Sequence, residues 1–185
     1  VIIVLFVLGS IFGLRVSPRE KALGIMRDKA RKMGLHPRVI VAPEWWGRNE
    51  YTEQRARELA EHGFAALAID MYGDKKVTTT SAQAYEWMMQ TFEHVDTVVD
   101  RAQAGLNTLA NQPEVNAEKL AAIGFCYGGK VVLDLARSGA NLKAVTTFHA
   151  NLSPKAPAEK GKLKAEILVL HGELDSMVTL DDVAS

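Results

Sequence analysis

Short runs of apolar residues recur along the chain and are separated by amphipathic stretches. Five of the runs have the length of a β-strand: Arg38–Ala42, Phe64–Ile69, Leu120–Phe125, Lys143–Phe148 and Ala165–His171. Their apolar positions are largely continuous, which is typical of strands that are covered on both faces. The pattern therefore predicts an α/β fold with a mainly parallel sheet whose strands are connected and flanked by helices.

The stretches between the runs have helical periodicity. Thr52–His62 places Ala56, Leu59 and Ala60 on one face, and Gly63 follows where a helix would end. A longer stretch, Ser81–Leu109, also carries large apolar side chains at helical spacing. These side chains are Trp87, Met88, Phe92, Val95, Val98 and Val99. We expect them to pack against the core and not to bind a cofactor.

The first 36 residues differ from the rest of the chain. Val1–Leu14 is uncharged and almost wholly apolar, but it is shorter than the roughly 20 residues that span a membrane, and no basic residue precedes it. It is either an incomplete targeting segment or a boundary unrelated to the domain. Arg19–Met33 then predicts a surface helix. We expect residues 1–36 to form an atypical N-terminal segment, followed by one domain over residues 37–185.

Composition narrows the classes of partner. The 22 basic residues are balanced by 22 acidic ones, so the chain has no electrostatic footprint for nucleic acid or for an anionic membrane. A small-molecule partner is expected. The one cysteine, Cys126, excludes an intramolecular disulfide and a multi-cysteine metal site, and no metal is expected. We expect a cytoplasmic protein, with export or anchoring through residues 1–14 as the alternative, and no oligomeric state is indicated.

The hexapeptide GFCYGG, Gly124–Gly129, carries the strongest chemical signal. It follows a predicted strand and precedes a predicted helix, which is the context of a nucleophile elbow. Glycines permit so sharp a turn, and the helix N-terminus favours a thiolate at Cys126. We interpret Cys126 as a nucleophile, and the alternative is a buried cysteine beside a glycine turn.

Two further motifs follow predicted strands. In APEWWG, the loop after the first strand is expected to donate a backbone N–H to an oxyanion hole, so Trp45 and Tyr127 are the assigned donors. Glu44, in the same loop, is either part of the site or a solvated carboxylate. In HGELD, Asp175 occupies the place of a catalytic acid, and Glu173 is a weaker competitor.

These motifs, together with Asp70–Gly73 after the strand FAALAI, resemble those of the dienelactone hydrolase family over Pro37–Ser185. The resemblance implies an α/β-hydrolase fold and hydrolysis of small esters or lactones through a Cys-His-Asp triad. It also implies that Glu44 pairs with the resting nucleophile and helps to form its thiolate. No cofactor is implied.

The chain departs from the family at the substrate end of the site. The enzymes that act on dienelactone carry an arginine shortly after the D-x-Y motif, where this chain has Asp74. Lys75 and Lys76 are possible substitutes, and we expect Tyr72 and Trp46 to line the substrate as well. The family's N-terminal β-hairpin has no counterpart in the first 36 residues, so the sheet is expected to lack its first strands.

The histidines are the gravest departure. All five precede Asp175, whereas the family's base follows the acid: they are His36, His62, His94, His149 and His171. We therefore expect a domain that is incomplete at both ends, with the base beyond Ser185, and a chain that acylates but releases product poorly. The alternatives are a non-catalytic binding protein or inactive fragment of the same fold, and a redox-sensing thiol, which would need a resolving cysteine from a partner.

Overall fold

A computed structural model describes residues 37–112, 119–154, 158–179 and 182–183. The expectations for residues 1–36, the apolar run and the helix after it, lie outside the described residues. The described part contains a five-stranded sheet that is built from the predicted apolar runs. Its strands are β1 (Arg38–Ala42), β2 (Ala65–Ala68), β3 (Leu120–Phe125), β4 (Ala144–Phe148) and β5 (Glu166–Leu170).

All four strand pairings are parallel, in the order β2-β1-β3-β4-β5. The parallel α/β fold predicted from the continuous apolar runs is thus confirmed. The chain leaves β1 toward β2 on one side and later places β3 on the other side of β1. Such a reversal opens a crevice beyond the carboxyl ends of the strands, where α/β proteins bind ligands. The loops that follow β1, β3, β4 and β5 all begin at this edge of the sheet.

Within the described residues, four helices cover the two faces of the sheet: α1 (Glu50–Glu61), α2 (Ser81–Glu93), α3 (Val95–Ala110) and α4 (Tyr127–Arg137). The side chain of Asn49 caps α1 by accepting the backbone N–H of Thr52 at 3.1 Å. Helix α1 packs on the face that includes Val39 and Val41, whereas α3 and α4 pack on the face that includes Ile40. The odd and even residues of β1 therefore enter two separate cores, as expected for a strand that is buried on both faces.

The stretch Ser81–Leu109 forms two helices and not one. The break lies at His94, whose backbone leaves the helical region (φ −123°, ψ 63°). No proline or glycine marks this break in the sequence, and it was not predicted. The apolar face was predicted correctly: Val98 is buried, and Trp87, Met88 and Phe92 pack against the main core.

Arg38 is fully buried at the start of β1 although its run was interpreted as apolar. Its guanidinium donates to the carbonyl of Ala110 at 2.7 Å and to that of Gln112 at 3.3 Å. These carbonyls lie at the C-terminal end of α3, where a cation satisfies unpaired acceptors and the helix dipole. Burial lowers the pKa of this guanidinium, but the side chain stays charged.

In the described part of the chain, no helix is long and apolar enough to cross a membrane.

Candidate active site

Cys126 lies in a sharp turn between β3 and α4. Its backbone has φ 53° and ψ −115°, a conformation that residues with a side chain rarely adopt. The turn is held on the adjacent strand, because the backbone N–H of Cys126 donates to the carbonyl of Phe148 at 2.8 Å. The predicted strand-turn-helix placement of Cys126 is therefore what the structure shows.

The glycines on either side of Cys126 allow the close packing of this turn. A Cβ atom at Gly124 would lie 2.1 Å from the carbonyl oxygen of Gly128. A Cβ atom at Gly128 would lie 2.4 Å from the carbonyl oxygen of Ala42 and 2.5 Å from that of Pro43. Both contacts are with backbone, which has little freedom to move aside. Because glycine has no Cβ atom, the loop after β1 can pack directly against the first turn of α4.

The environment raises the pKa of the Cys126 thiol. Burial is the main cause, and the negative charges of Glu44 and Asp175 add to it. The backbone N–H of Tyr127 acts in the opposite direction and lowers the pKa of the thiol. The expectation that the helix N-terminus favours the thiolate was therefore right about the interaction and wrong about the net direction. A half-buried thiol beside two carboxylates needs a proton acceptor before it can act as a nucleophile.

Glu44 lies in the turn after β1, where its carbonyl accepts the backbone N–H of Gly47 at 3.3 Å. The side chain is half-buried, and burial raises the pKa of its carboxyl group, while the nearby His149 lowers it. The negative charge of Glu44 is one of the causes that raise the pKa of the Cys126 thiol. A carboxylate whose proton affinity is increased by burial is suited to accept a proton from a neighbouring thiol.

Asp175 lies in the loop after β5 and organises it. Its Oδ1 atom accepts the backbone N–H of Met177 at 2.9 Å and that of Val178 at 3.2 Å. Burial would raise the pKa of this carboxyl group, but these two N–H groups and His149 outweigh it, so the pKa is lowered. His171 supports the same loop, because its Nε2–H donates to the carbonyl of Val178 at 2.6 Å.

His149 contacts Asp175, although the sequence interpretation set this histidine aside as the base. Its Nδ1 atom is hydrogen-bonded to Oδ2 of Asp175, and it carries a positive φ of 54° directly after β4. Chain order had set it aside, because in α/β-hydrolases the base follows the acid. The available signal was its place at the carboxyl end of a strand that neighbours β3. Glu44, Cys126, His149 and Asp175 thus form one cluster at the carboxyl edge of the sheet.

Tyr72 connects the loops after β1 and β2. Its hydroxyl donates to the carbonyl of Trp45 at 2.9 Å, and its ring stacks on that of Tyr127 with centroids 5.6 Å apart. Burial, followed by Tyr127 and Cys126, raises its pKa well above that of an ordinary phenol. Trp46 packs edge-on against Trp45 at 5.1 Å, and its carbonyl accepts the backbone N–H of Thr78 at 3.0 Å. The aromatic residues predicted from the sequence therefore contact one another in a single cluster beside the turn at Cys126.

Tyr127 takes part in this structure through both its backbone and its side chain. The ring is buried, and burial raises the pKa of its hydroxyl group to about 12, while Thr91 and Arg101 act against the rise. Its backbone N–H lowers the pKa of the neighbouring Cys126 thiol, and it belongs to the residue that directly follows Cys126. The matching N–H of Trp45 belongs to the turn that packs against α4 through Gly128.

The two lysines of the loop after β2 are exposed. The backbone N–H of Lys75 donates to Asp70 at 2.8 Å, and Asp70 also accepts the N–H groups of Tyr72 and Gly73. Asp70 therefore shapes the loop and is not a free acid. Lys76 lines a cavity together with Tyr72 on the side of α2 and α3.

The comparison with known proteins agrees with this geometry. The model of the dienelactone hydrolase family matches residues 25–185. A solved structure described as m3DLH is 44% identical over 82% of this chain, with a TM-score of 0.77. A dienelactone hydrolase-like promiscuous phosphotriesterase from metagenomic libraries is 42% identical over the same share, also with a TM-score of 0.77.

A probable 2-oxo-3-(5-oxofuran-2-ylidene)propanoate lactonase from Bradyrhizobium is 32% identical over 58% of this chain and 43% of its own length. The chain covers 63% of each of the two solved structures. It thus spans less than two thirds of the length of each of these three relatives. The matched residues contain the strand-turn-helix at Cys126, Glu44 and the loop of Asp175. The chain belongs to the dienelactone hydrolase family.

Proposed function

We propose that the protein hydrolyses small carboxylic esters or lactones through nucleophilic attack by Cys126. The observation that carries this proposal is the cluster of Cys126 with Glu44 and Asp175 at the carboxyl edge of the sheet. The strained backbone of Cys126 is what a nucleophile elbow requires, because it aims the side chain away from the turn. Membership of the family and a relative described as a lactonase support the substrate class.

The first step we propose is transfer of the thiol proton from Cys126 to Glu44. The raised pKa of the Glu44 carboxyl group makes it a better acceptor than an exposed carboxylate. The thiolate then adds to the ester carbonyl carbon, and the carbonyl oxygen takes the negative charge. The backbone N–H groups of Tyr127 and Trp45 are the donors we assign to that oxygen. Collapse of this intermediate expels the alkoxide and leaves an acyl group on the sulfur.

Release of the acyl group needs a base for water. In the chain order of α/β-hydrolases the base follows the acid, and we propose that the base of the whole protein follows Asp175 in this order. Asp175 is already held in the ionised form that orients an imidazole. His149 is the second candidate, because its Nδ1 atom faces Asp175 as that of a triad histidine does.

Hydrolysis of 4-nitrophenyl acetate by the 185-residue chain tests these assignments. We expect a burst of nitrophenol close to one equivalent, followed by slow turnover, since an activated aryl leaving group needs no proton. Cys126→Ala should abolish both phases. Glu173→Gln, a change of an exposed carboxylate in the acid loop, is the matched control and should retain the burst.

The same experiment separates the two candidate bases. If the base follows Asp175, His149→Asn should leave the slow phase of the 185-residue chain nearly unchanged. Steady turnover that His149→Asn lowers by about 100-fold or more would contradict this and assign the base to His149. A chain without any burst would favour the non-catalytic alternative.

A further inference from the structure

A cavity lies beside the candidate active site, between α2, α3 and the loop after β2. Its volume is about 300 Å³, which is at the small end of the range for ligand sites. Cys126, Glu44 and Asp175 do not line it. Helix α2 contributes Trp87, α3 contributes Arg101, and the break between the two helices places His94 in the wall.

The charges around this cavity have one sign. Lys76 and Arg101 contribute cationic groups, His94 contributes an imidazole, and no carboxylate is among the lining residues that the structure describes. Asp70, the acid at the start of the same loop, is occupied by three backbone N–H groups of that loop. An anion that enters the cavity therefore meets cations without a competing carboxylate in the wall.

Arg101 is held in place for such a contact. Its Nη1 atom donates to the carbonyl of Met71 at 2.7 Å, which fixes one side of the guanidinium. No ion pair joins Arg101 to an acidic side chain within the described ranges. A guanidinium has five N–H donors in a planar fork that matches a carboxylate, so donors remain for a ligand.

The remaining wall is aromatic. The rings of Tyr72 and Trp87 meet edge-on with centroids 5.4 Å apart, and both line the cavity. Such a corner offers an apolar surface for a flat ring or a conjugated chain. A carboxylate held by Arg101 would project the rest of a small ligand along these rings.

We propose that this cavity, which Cys126 does not line, binds a small planar carboxylate such as an aromatic acid, and that Tyr72 and Lys76 contact this ligand and not the ester or lactone. Arg101 and Lys76 bind the carboxylate, and Trp87 and Tyr72 contact the flat body of the ligand. Tyr72 also joins the site to the nucleophile, since it stacks on Tyr127 and donates to the carbonyl of Trp45. An occupied cavity would thus restrain the two residues to which we assign the oxyanion donors.

Binding of benzoate to the 185-residue chain, measured by calorimetry and by the indole N–H signal of Trp87, tests the proposal without any turnover. Benzamide, a neutral molecule of the same shape, should bind at least about tenfold more weakly, because it lacks the charge-assisted contact. Arg101→Gln should weaken the binding of benzoate to a similar extent. The glutamine keeps an N–H group that can donate to the carbonyl of Met71.

A second variant protects the test against a folding defect. Thr97 lines the cavity in the first turn of α3, where an acidic residue favours the helix dipole, so Thr97→Glu should fold well and repel benzoate. Ala104→Glu adds the same charge to an exposed position of α3 outside the cavity and should leave binding unchanged.

Equal binding of benzoate and benzamide, or benzoate binding that Thr97→Glu and Arg101→Gln leave unchanged, would overturn the proposal. Inorganic phosphate that binds as tightly as benzoate would overturn the role of the aromatic wall. The experiment measures the binding of benzoate and not turnover. The cavity proposal can therefore fail while Cys126 is still acylated, and benzoate can bind although Cys126 is not acylated.

Discussion

At the scale of single residues, the ionisation of Cys126 decides how the site begins to react. Burial, Glu44 and Asp175 all raise the pKa of the thiol, and only the N–H of Tyr127 lowers it. The free protein therefore rests as a thiol at neutral pH, with a carboxylate beside it. In the mechanism that we propose, Glu44 accepts the thiol proton before the sulfur attacks.

We expect the rate of Cys126 alkylation by iodoacetamide to rise with pH through a midpoint above the ordinary thiol value of about 8.5. The midpoint lies high because the thiolate would be buried beside two negative charges. Glu44→Gln removes one of these charges, so the midpoint of its labelling should move to lower pH. Cys126 is the one cysteine of the chain, so no other thiol contributes to the labelling.

Glu173→Gln is the matched control for this measurement, because Glu173 is exposed and does not contribute to the pKa of Cys126. Its midpoint should equal that of the unaltered chain. A Glu44→Gln midpoint that stays in place or moves to higher pH would show that the carboxylate does not act on the thiol as the geometry requires.

At the scale of elements, the turn between β3 and α4 depends on the absence of side chains. Gly128→Ala would place a Cβ atom 2.4 Å from the carbonyl oxygen of Ala42. We expect a loss of about 2–3 kcal/mol in the free energy of unfolding, because backbone lies on the far side of the contact and has to shift. Urea denaturation measures this loss.

Gly172→Ala is a suitable comparison, since the nearest atom to its new Cβ would be 4.0 Å away, in Asp175. We expect its unfolding midpoint to stay close to that of the unaltered chain. Equal midpoints for Gly128→Ala and Gly172→Ala would mean that the loop after β1 is not packed tightly against α4.

The elements also show where sequence periodicity is sufficient and where it is not. The strands were predicted to within one residue at each end, since a buried parallel strand has a continuous apolar run that ends where the chain becomes polar. The break at His94 was not predicted, because no residue there disfavours a helix strongly.

At the scale of the whole molecule, the site is assembled from loops that are far apart in the sequence. Spacing identified Cys126 and Asp175 because each follows a strand that ends at the same edge of the sheet. The contact of His149 with Asp175 could not be predicted, since it depends on the order of β4 and β5 and on a positive φ after β4. The cavity at Arg101 depends on three elements and has no sequence signature.

The covalent intermediate on Cys126 is the most direct test of the proposed function. The 185-residue chain is mixed with 4-nitrophenyl acetate, quenched in acid within the burst, and its intact mass and peptides are measured. We expect one added acetyl group, located on the peptide that contains Cys126, and none on the Cys126→Ala chain. An unmodified chain, or acetyl groups on lysines alone, would contradict the assignment of Cys126 as the nucleophile.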